Sequence, residues 1–467
     1  MAAPDPIDRS LADARPVPFW LDDPTAPAPC PPLSGTHRAD LAIVGAGFTG
    51  LWAAIEAKER DPSRHVIVLE GGRVASGATG RNGGFLAASL THGLENGMAR
   101  FPDEIVEIER QAEENFRGIA EAIDRYGIDA EYERVGEVAL AREPHQTAWF
   151  AEAADLARRH GKSVDVLDRD AARGVVDSPV VIGGFRHNDD HALVHPAKLA
   201  WGLRDAALTL GVELHEDSPV EAIEEVDHGA RLVTRDGVVL ADRVVLATNG
   251  FAPLVPAIRR YVVPVYDHVL MTEPLTSEQR AAIGWHGREG LADAANRFHY
   301  FRLSADDRIL WGGYDATYHW GNGIAERFEQ DRDVHRRLAA SFFTFFPQLE
   351  GIAFSHRWGG VIDTCSRFSV MFGRAMSGRL AYAVGYTGLG VGATRFGART
   401  ALDLVDGLDT ERTRLSMVRR RPVPFPPEPL RWTGIRLTVR AMARADRTGR
   451  AGAWLKLLER VGLGFQS

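Results

Sequence analysis

The chain has 467 residues, 45% of them hydrophobic and 25% charged, which suits a globular protein with two lobes and a substantial buried core. Its formal net charge of −8 argues against a nucleic-acid partner, which needs a basic surface, and no apolar run is long enough to cross a bilayer. Two cysteines, Cys30 and Cys365, supply no disulfide framework, CxxC pair or metal-ligand cluster, so no metal is expected.

Met1 to Gly35 lacks the basic start and apolar centre of a signal peptide, and the chain reads as cytoplasmic. Prolines in PDP, RPVP and DPTAPAPCPP predict an extended arm on the surface, residues 1–39. An apolar run, Leu41 to Val44, then enters Gly45-Ala46-Gly47-Phe48-Thr49-Gly50, a helical pattern from Leu51 to Glu59 and a second apolar run, Val66 to Leu69. This strand, turn, helix and strand form a dinucleotide fingerprint: Gly45 permits the turn, Gly47 admits a pyrophosphate and Gly50 lets helix and strand pack closely. The phosphates would rest on the helix N terminus at Phe48 and Thr49. Glu70, twenty residues after Gly50, would accept hydrogen bonds from an adenosine ribose.

Gly71 to Gly84 (GGRVASGATGRNGG) is too rich in glycine for regular structure and can run along an extended cofactor. With this loop the chain resembles the FAD-dependent glycine/D-amino-acid oxidase superfamily, most closely the branch that contains gamma-glutamylputrescine oxidoreductases. The resemblance covers about Asp40 to Gly407. It implies an α/β fold with an α+β second lobe, a Rossmann-like FAD-binding domain beside a β-sheet substrate-binding domain. It also makes Ser76, Thr79, Gly80, Arg81, Asn82 and Gly83 cofactor candidates.

Further along, apolar residues at Ile105, Ile108, Phe116, Ile119 and Ile123 predict a helix with one buried face within 94–126. A strand is expected in 131–143, a helix in 147–160 and a proline-started helix from Ala197 to Leu210. Short strands follow at 212–215 and 219–224, and a hairpin turns at Asp236-Gly237. By resemblance Val220 offers its backbone to the adenine, and Thr248-Asn249-Gly250, after the strand Arg243 to Leu246, packs beside the cofactor. Segments 261–274, 296–303 and 308–314 read as a sheet roofing the flavin, and 323–346 as mostly helical. The strand Leu380 to Val384 leads into Gly385 to Gly392 and a helix. In the family that helix N terminus faces the pyrimidine end of the flavin, making Gly388, Leu389, Gly390 and Val391 candidates.

The expected domains are therefore 40–93, 194–255 and 359–410 for FAD, 94–193 and 256–358 for substrate, and a helical extension at 411–467. In the extension Arg436, Arg440 and Arg447 share one helical face, either solvated or a dimer contact, or else the face of an interfacial helix attracted to anionic lipid.

The resemblance implies hydride transfer from the nitrogen-bearing carbon of an amine to flavin, hydrolysis of the imine, and oxygen or another electron acceptor. Tyr300, Arg302, Trp358 and Tyr386 are the candidate catalytic residues facing the ring. Three departures from relatives bear on chemistry. Gly359 stands where covalent relatives have a cysteine, and no histidine lies in Ser76 to Gly84, so non-covalent FAD is expected. Trp311 stands in place of an oxygen-activating Lys on the roof. Gly392 replaces a Lys that holds a substrate carboxylate, which favours a polyamine-type primary or secondary amine over glycine, sarcosine or D-amino acids. Amino-acid oxidation remains one alternative, and a flavin-containing scaffold or membrane-surface protein another. An aromatic hydroxylase would show a late GDAAH-like turn and a disulfide reductase a cysteine pair; neither occurs.

Overall fold

The computed structural model describes residues 5–251, 253–313 and 315–463. Its first lobe is built on a sheet in which Leu380–Val384, Gly237–Leu246, Gly35–Val44, Val66–Leu69 and Glu213–His215 lie side by side in parallel. Both faces of this sheet are covered, which explains the unbroken apolar runs in the sequence. Leu41 and Ile43 face a core shared with the helices Phe48–Arg60, Pro196–Thr209 and Gly390–Val405. Ala42 and Val44 face the other way, against Leu232 and Val239 of the predicted hairpin.

The second lobe is an antiparallel sheet whose longest ladder joins Val262–Thr272 to Phe354–Cys365. Ile309–Gly313, His299–Leu303 and Gly290–Asp293 continue it. The helix Arg332–Phe345 covers its outer face, where Phe301, Trp311, Phe342, Phe345 and Phe346 form an aromatic core.

Three sequence expectations are refined or corrected. The N-terminal arm runs over the surface, with most of its described residues exposed, but it is pinned at several points rather than loose. Its helix Pro6–Ser10 packs on Arg332–Phe345, Trp20 is fully buried, and Cys30 is tied by its backbone N–H to Glu216. The Trp20 indole is packed by Phe19, His195 and the Arg302 guanidinium, a setting that proline content alone does not disclose. Second, the expected helix within 94–126 is present as Ile105–Tyr126, preceded by a short one, Leu94–Arg100, but it does not belong to the second lobe. All five residues that marked the buried face are buried, but four of them belong to the first-lobe core beside Gly390–Val405. Third, Trp311 pairs across the ladder with Phe301, so both point to the outer face, whereas Tyr300 and Arg302 oppose Gly312 and Leu310. The Trp311 indole donates to Ser341 Oγ at 3.2 Å, on the helix side of the roof, and the argument from a missing Lys there falls.

In the C-terminal extension the helices Leu430–Thr448 and Ala453–Arg460 pack on each other, and the first is anchored to the second lobe through Asp446, which accepts from Asn296. Arg436, Arg440 and Arg447 are exposed. Among the described residues no helix is long and apolar enough to cross a membrane.

Trp20 also donates its indole N–H to Asn82 O at 2.8 Å. Trp20→Ala should therefore cost roughly 3–5 kcal/mol of stability and lower the melting temperature of the flavin-loaded protein. An unchanged melting curve would show that the arm does not hold the loop.

Candidate functional site

The glycine turn is dictated by close backbone approach. Gly45 has φ +102°, and a Cβ on it would lie 2.5 Å from Ala247 O. On Gly50 a Cβ would sit 1.8 Å from Gly45 O, and on Gly47 it would meet Thr79 Oγ1 at 2.9 Å. The helix that follows starts at Phe48 with no side-chain cap, and the Phe48 N–H donates to Thr79 Oγ1 at 3.1 Å. Such an uncapped N terminus favours an anion. Glu70 accepts from Ala46 N at 2.7 Å and Gly72 N at 3.0 Å, so its carboxylate is fixed at the end of Val66–Leu69. Burial raises its pKa, with the Glu216 carboxylate adding to the effect.

The loop that follows contains only a short turn, Ala78–Gly80, so most of its backbone polar groups depend on side chains, its own and those of neighbouring elements. Ser76 and Arg81 are joined by Arg81 Nε donating to Ser76 O at 2.7 Å. The Arg81 guanidinium also pairs with Glu329 at 2.6 Å and donates to Gly359 O at 2.9 Å. Asn82 donates to Ala78 O and Thr79 O, while its Oδ1 accepts from Gly84 N at 2.8 Å. Gly80 has Ala75 O where a Cβ would be, and Gly83 lies against the Tyr300 ring. In the loop, then, Arg81 and Asn82 fix the backbone with their side chains.

The remaining cofactor candidates line the same end of the sheet. Val220 is half-buried in the core under the hairpin. Thr248-Asn249-Gly250 follows Gly237–Leu246, with Asn249 at φ 51° and Gly250 packed on Val361. At the second glycine turn Gly388 has φ +95°, Leu389 begins an uncapped helix, Gly390 has open space where a Cβ would be, and Val391 is buried. Two open helix N termini, a fixed carboxylate and a glycine cradle make a donor and acceptor set that fits FAD: diphosphate, ribose and an electron-rich ring edge.

Tyr300, on the inner face of the roof, donates to Asp267 Oδ2 at 2.5 Å. Burial pushes the Asp267 carboxyl up to about 6 and the Tyr300 hydroxyl well above its ordinary value. Arg302 is fully buried, donates to Val194 O at 2.7 Å and lies 5.6 Å from the Trp20 ring centroid; burial lowers it to about 10. Trp358 donates to Arg81 O at 2.9 Å. The Tyr386 hydroxyl accepts from Thr49 at 3.0 Å and abuts Gly397, in the seam between two helices. The structure thus brings Tyr300, Arg302 and Trp358 to the loop and puts Tyr386 behind it.

Gly392 needs correction too. A Cβ there would lie 2.4 Å from Ala87 O, so no side chain at this position reaches a pocket, and it is a packing glycine. Sequence reasoning missed two acids. Asp267 interrupts the apolar strand Val262–Thr272, a signal that was legible. Asp363 accepts from Gly385 N at 2.6 Å and Tyr386 N at 3.2 Å, and burial raises it to about 7.

The sequence pattern of the family described as FAD dependent oxidoreductase, DAO, matches residues 40–404. The chain belongs to the DAO family of FAD-dependent oxidoreductases. Among relatives of this DAO protein, the gamma-glutamylputrescine oxidoreductase of Escherichia coli is 32% identical over 82% of this chain and 87% of its own. A probable oxidoreductase OrdL of Haemophilus influenzae is 29% identical over 87% and 91%. The fold is also that of glycine oxidase from Geobacillus kaustophilus, with a TM-score of 0.68 at 21% identity, covering 82% of this chain and 99% of that one.

For a DAO protein Glu70 is the most direct test of the cradle. Glu70→Ala removes a charged acceptor worth roughly 1.5–3 kcal/mol per bond, so FAD should be lost on purification, read as a fall in the 450-to-280 nm absorbance ratio. Retention equal to the parent's would remove Glu70 from the ribose site.

Proposed function

We propose that this enzyme oxidises the C–N bond of a primary or secondary amine of polyamine type, with FAD held non-covalently. FAD, when bound, would supply an acceptor for the hydride of the nitrogen-bearing carbon; the resulting imine would be hydrolysed by water, and oxygen or another acceptor would take the electrons. The cofactor would be held by Gly45, Gly47, Phe48, Thr49, Gly50 and Glu70, by the Ser76 to Gly83 loop, by Val220 and Thr248 to Gly250, and by Gly388 to Val391.

One observation carries the substrate class. The two arginines at the glycine-rich loop are engaged, Arg81 with Glu329 and Arg302 with the carbonyl of Val194. A substrate carboxylate in a dry pocket needs a paired cation. What the inner roof face offers instead is Asp267 with Tyr300, an arrangement suited to an ammonium group. The E. coli relative's printed name, gamma-glutamylputrescine oxidoreductase, supports the same class. Tyr300 would orient the amine, with Asp267 setting its hydrogen bond; Arg302 and Trp358 would position the loop.

Non-covalent attachment is supported by the missing sulfur. The side-chain direction of Gly359 runs into Glu329 and that of Gly360 into Arg81, while Cys365 is buried and donates to Ser369 O. Acid precipitation should leave a yellow supernatant; a yellow pellet would refute this.

Anaerobic flavin reduction by putrescine, gamma-glutamylputrescine and simple amines should outpace reduction by glycine, sarcosine and D-amino acids. An α-amino acid that is faster than every amine would overturn the reading. Asp267 is protonated below about pH 6, so the substrate-binding charge is absent there and appears as pH rises. The second-order reduction rate should climb through that region and flatten in Asp267→Asn; an identical profile in the variant would exclude Asp267.

A further inference from the structure

Away from the flavin cradle, at the edge of the first-lobe sheet, His37, Glu213 and His215 bring one ligand atom each to within 4.8 Å of one another. Glu213 and His215 are two apart on the edge strand Glu213–His215, hence on one face. His37 comes from Gly35–Val44, and its ring lies 5.6 Å from that of His215, centroid to centroid.

The hydrogen bonds around this cluster fix where its lone pairs point. His215 Nδ1 lies 3.0 Å from Pro31 O and His37 Nε2 lies 2.9 Å from Ser34 O. A carbonyl only accepts, so each of these nitrogens carries the hydrogen and the other ring nitrogen keeps a lone pair. His215 Nε2 is buried with no partner, and His37 Nδ1 faces Glu213 Oε2 at 3.8 Å, too far for a hydrogen bond. The other carboxylate oxygen lies 2.8 Å from His65 Nε2, which orients it. Two imidazole lone pairs and a carboxylate oxygen therefore converge with no donor between them. Backbone carbonyls on the far nitrogens and a hydrogen bond on the carboxylate are the outer-shell pattern of a metal site.

We propose that His37 Nδ1, Glu213 Oε2 and His215 Nε2 bind a divalent cation of the zinc type, with water in the fourth position. Tetrahedral ligands around zinc stand on the order of 3.4 Å apart, so binding needs only a small inward turn of His37 and Glu213, whose side chains are 31% and 46% exposed. The carbonyls of Pro31 and Ser34 belong to the N-terminal arm. The ion would clip the end of that arm to an edge strand, closing an edge otherwise open to pairing. A second group, His187, Asp190 and His191, differs: the two rings lie 3.3 and 2.7 Å from Asp190, one on each carboxylate oxygen, so neither of its carboxylate oxygens is free of a hydrogen bond as Glu213 Oε2 is.

The test uses the full-length, flavin-loaded protein, stripped with a chelator and titrated with zinc sulfate in equilibrium dialysis, with thermal melting in parallel. A single saturable zinc per chain and a higher melting temperature are expected, with no response to magnesium. His37→Gln and His215→Gln should each weaken zinc binding by roughly tenfold to a hundredfold or more and abolish the thermal shift, with the flavin spectrum unchanged. Glu213→Gln, on an exposed side chain, gives the same reading should a histidine variant lose its flavin. His191→Gln should bind zinc like the parent. Parent-like affinity in the His37→Gln/His215→Gln double variant, loss of binding in His191→Gln, or no saturable binding in the parent would each overturn the proposal.

Discussion

The glycine-rich segment from Ser76 to Gly84 is the part of this molecule that cannot hold itself. It crosses from the first lobe to the roof with one short turn of its own; Arg81 and Asn82 satisfy Ser76 O, Ala78 O and Thr79 O from within, and further carbonyls need donors from elsewhere. Three large buried side chains provide them. Trp20 donates to Asn82 O, Trp358 to Arg81 O, and Arg302 to Val194 O and, at 3.5 Å, to Gly84 O. They come from the arm, the returning strand and the roof, so the loop is where all three regions are tied together. A cofactor laid along it inherits a rigid wall, which is what orientation of a reacting carbon demands.

That arrangement sets the charge of the site. A guanidinium buried against carbonyls and an indole face stays a cation at neutral pH even with its pKa lowered to about 10, and its Nε and Nη1 hydrogens are already given to the carbonyls of Leu303 and Val194. The carboxyls of Asp267 and Asp363 are pushed the other way, to about 6 and about 7, because burial disfavours their charged form. Asp363 is held by the backbone N–H groups of Gly385 and Tyr386, so it shapes the turn before the second open helix. Asp267 is instead hydrogen-bonded to the Tyr300 hydroxyl on the inner face of the roof.

How much of this was legible follows from how local each signal is. The first strand, turn and helix, the acid at Glu70 and the second glycine turn are written in contiguous residues, and the structure puts them at one end of the sheet. Side-chain direction across a ladder is not contiguous information. Trp311 was placed over the flavin by likeness, yet the hairpin pairs Leu303 with Ile309 and therefore Phe301 with Trp311, which turns the indole to the outer core. Counting outward from the Ser304 to Arg308 turn would have shown this. Gly392 failed differently, since what fills its missing Cβ is the backbone of Ala87, a neighbour that only the folded chain reveals.

The arm illustrates the same limit with a larger consequence. The family match begins at residue 40, yet Trp20, Cys30 and Leu33 are buried in the cores of the first lobe. Arg15 N donates to Ser355 O at 2.8 Å and Arg357 N to Arg15 O at 2.9 Å, so the arm also adds a bridge to the strand Phe354–Cys365 beyond Thr272. A segment read from its prolines as surface chain thus reaches the roof, the cofactor loop and the edge strand in turn. Its extended, proline-restricted backbone has less freedom to lose on ordering than an ordinary tail, and each contact fixes the next along the chain. The glycine-rich loop is thus braced by residues lying before the family match, and a change at Trp20 acts on it through the hydrogen bond to Asn82 O.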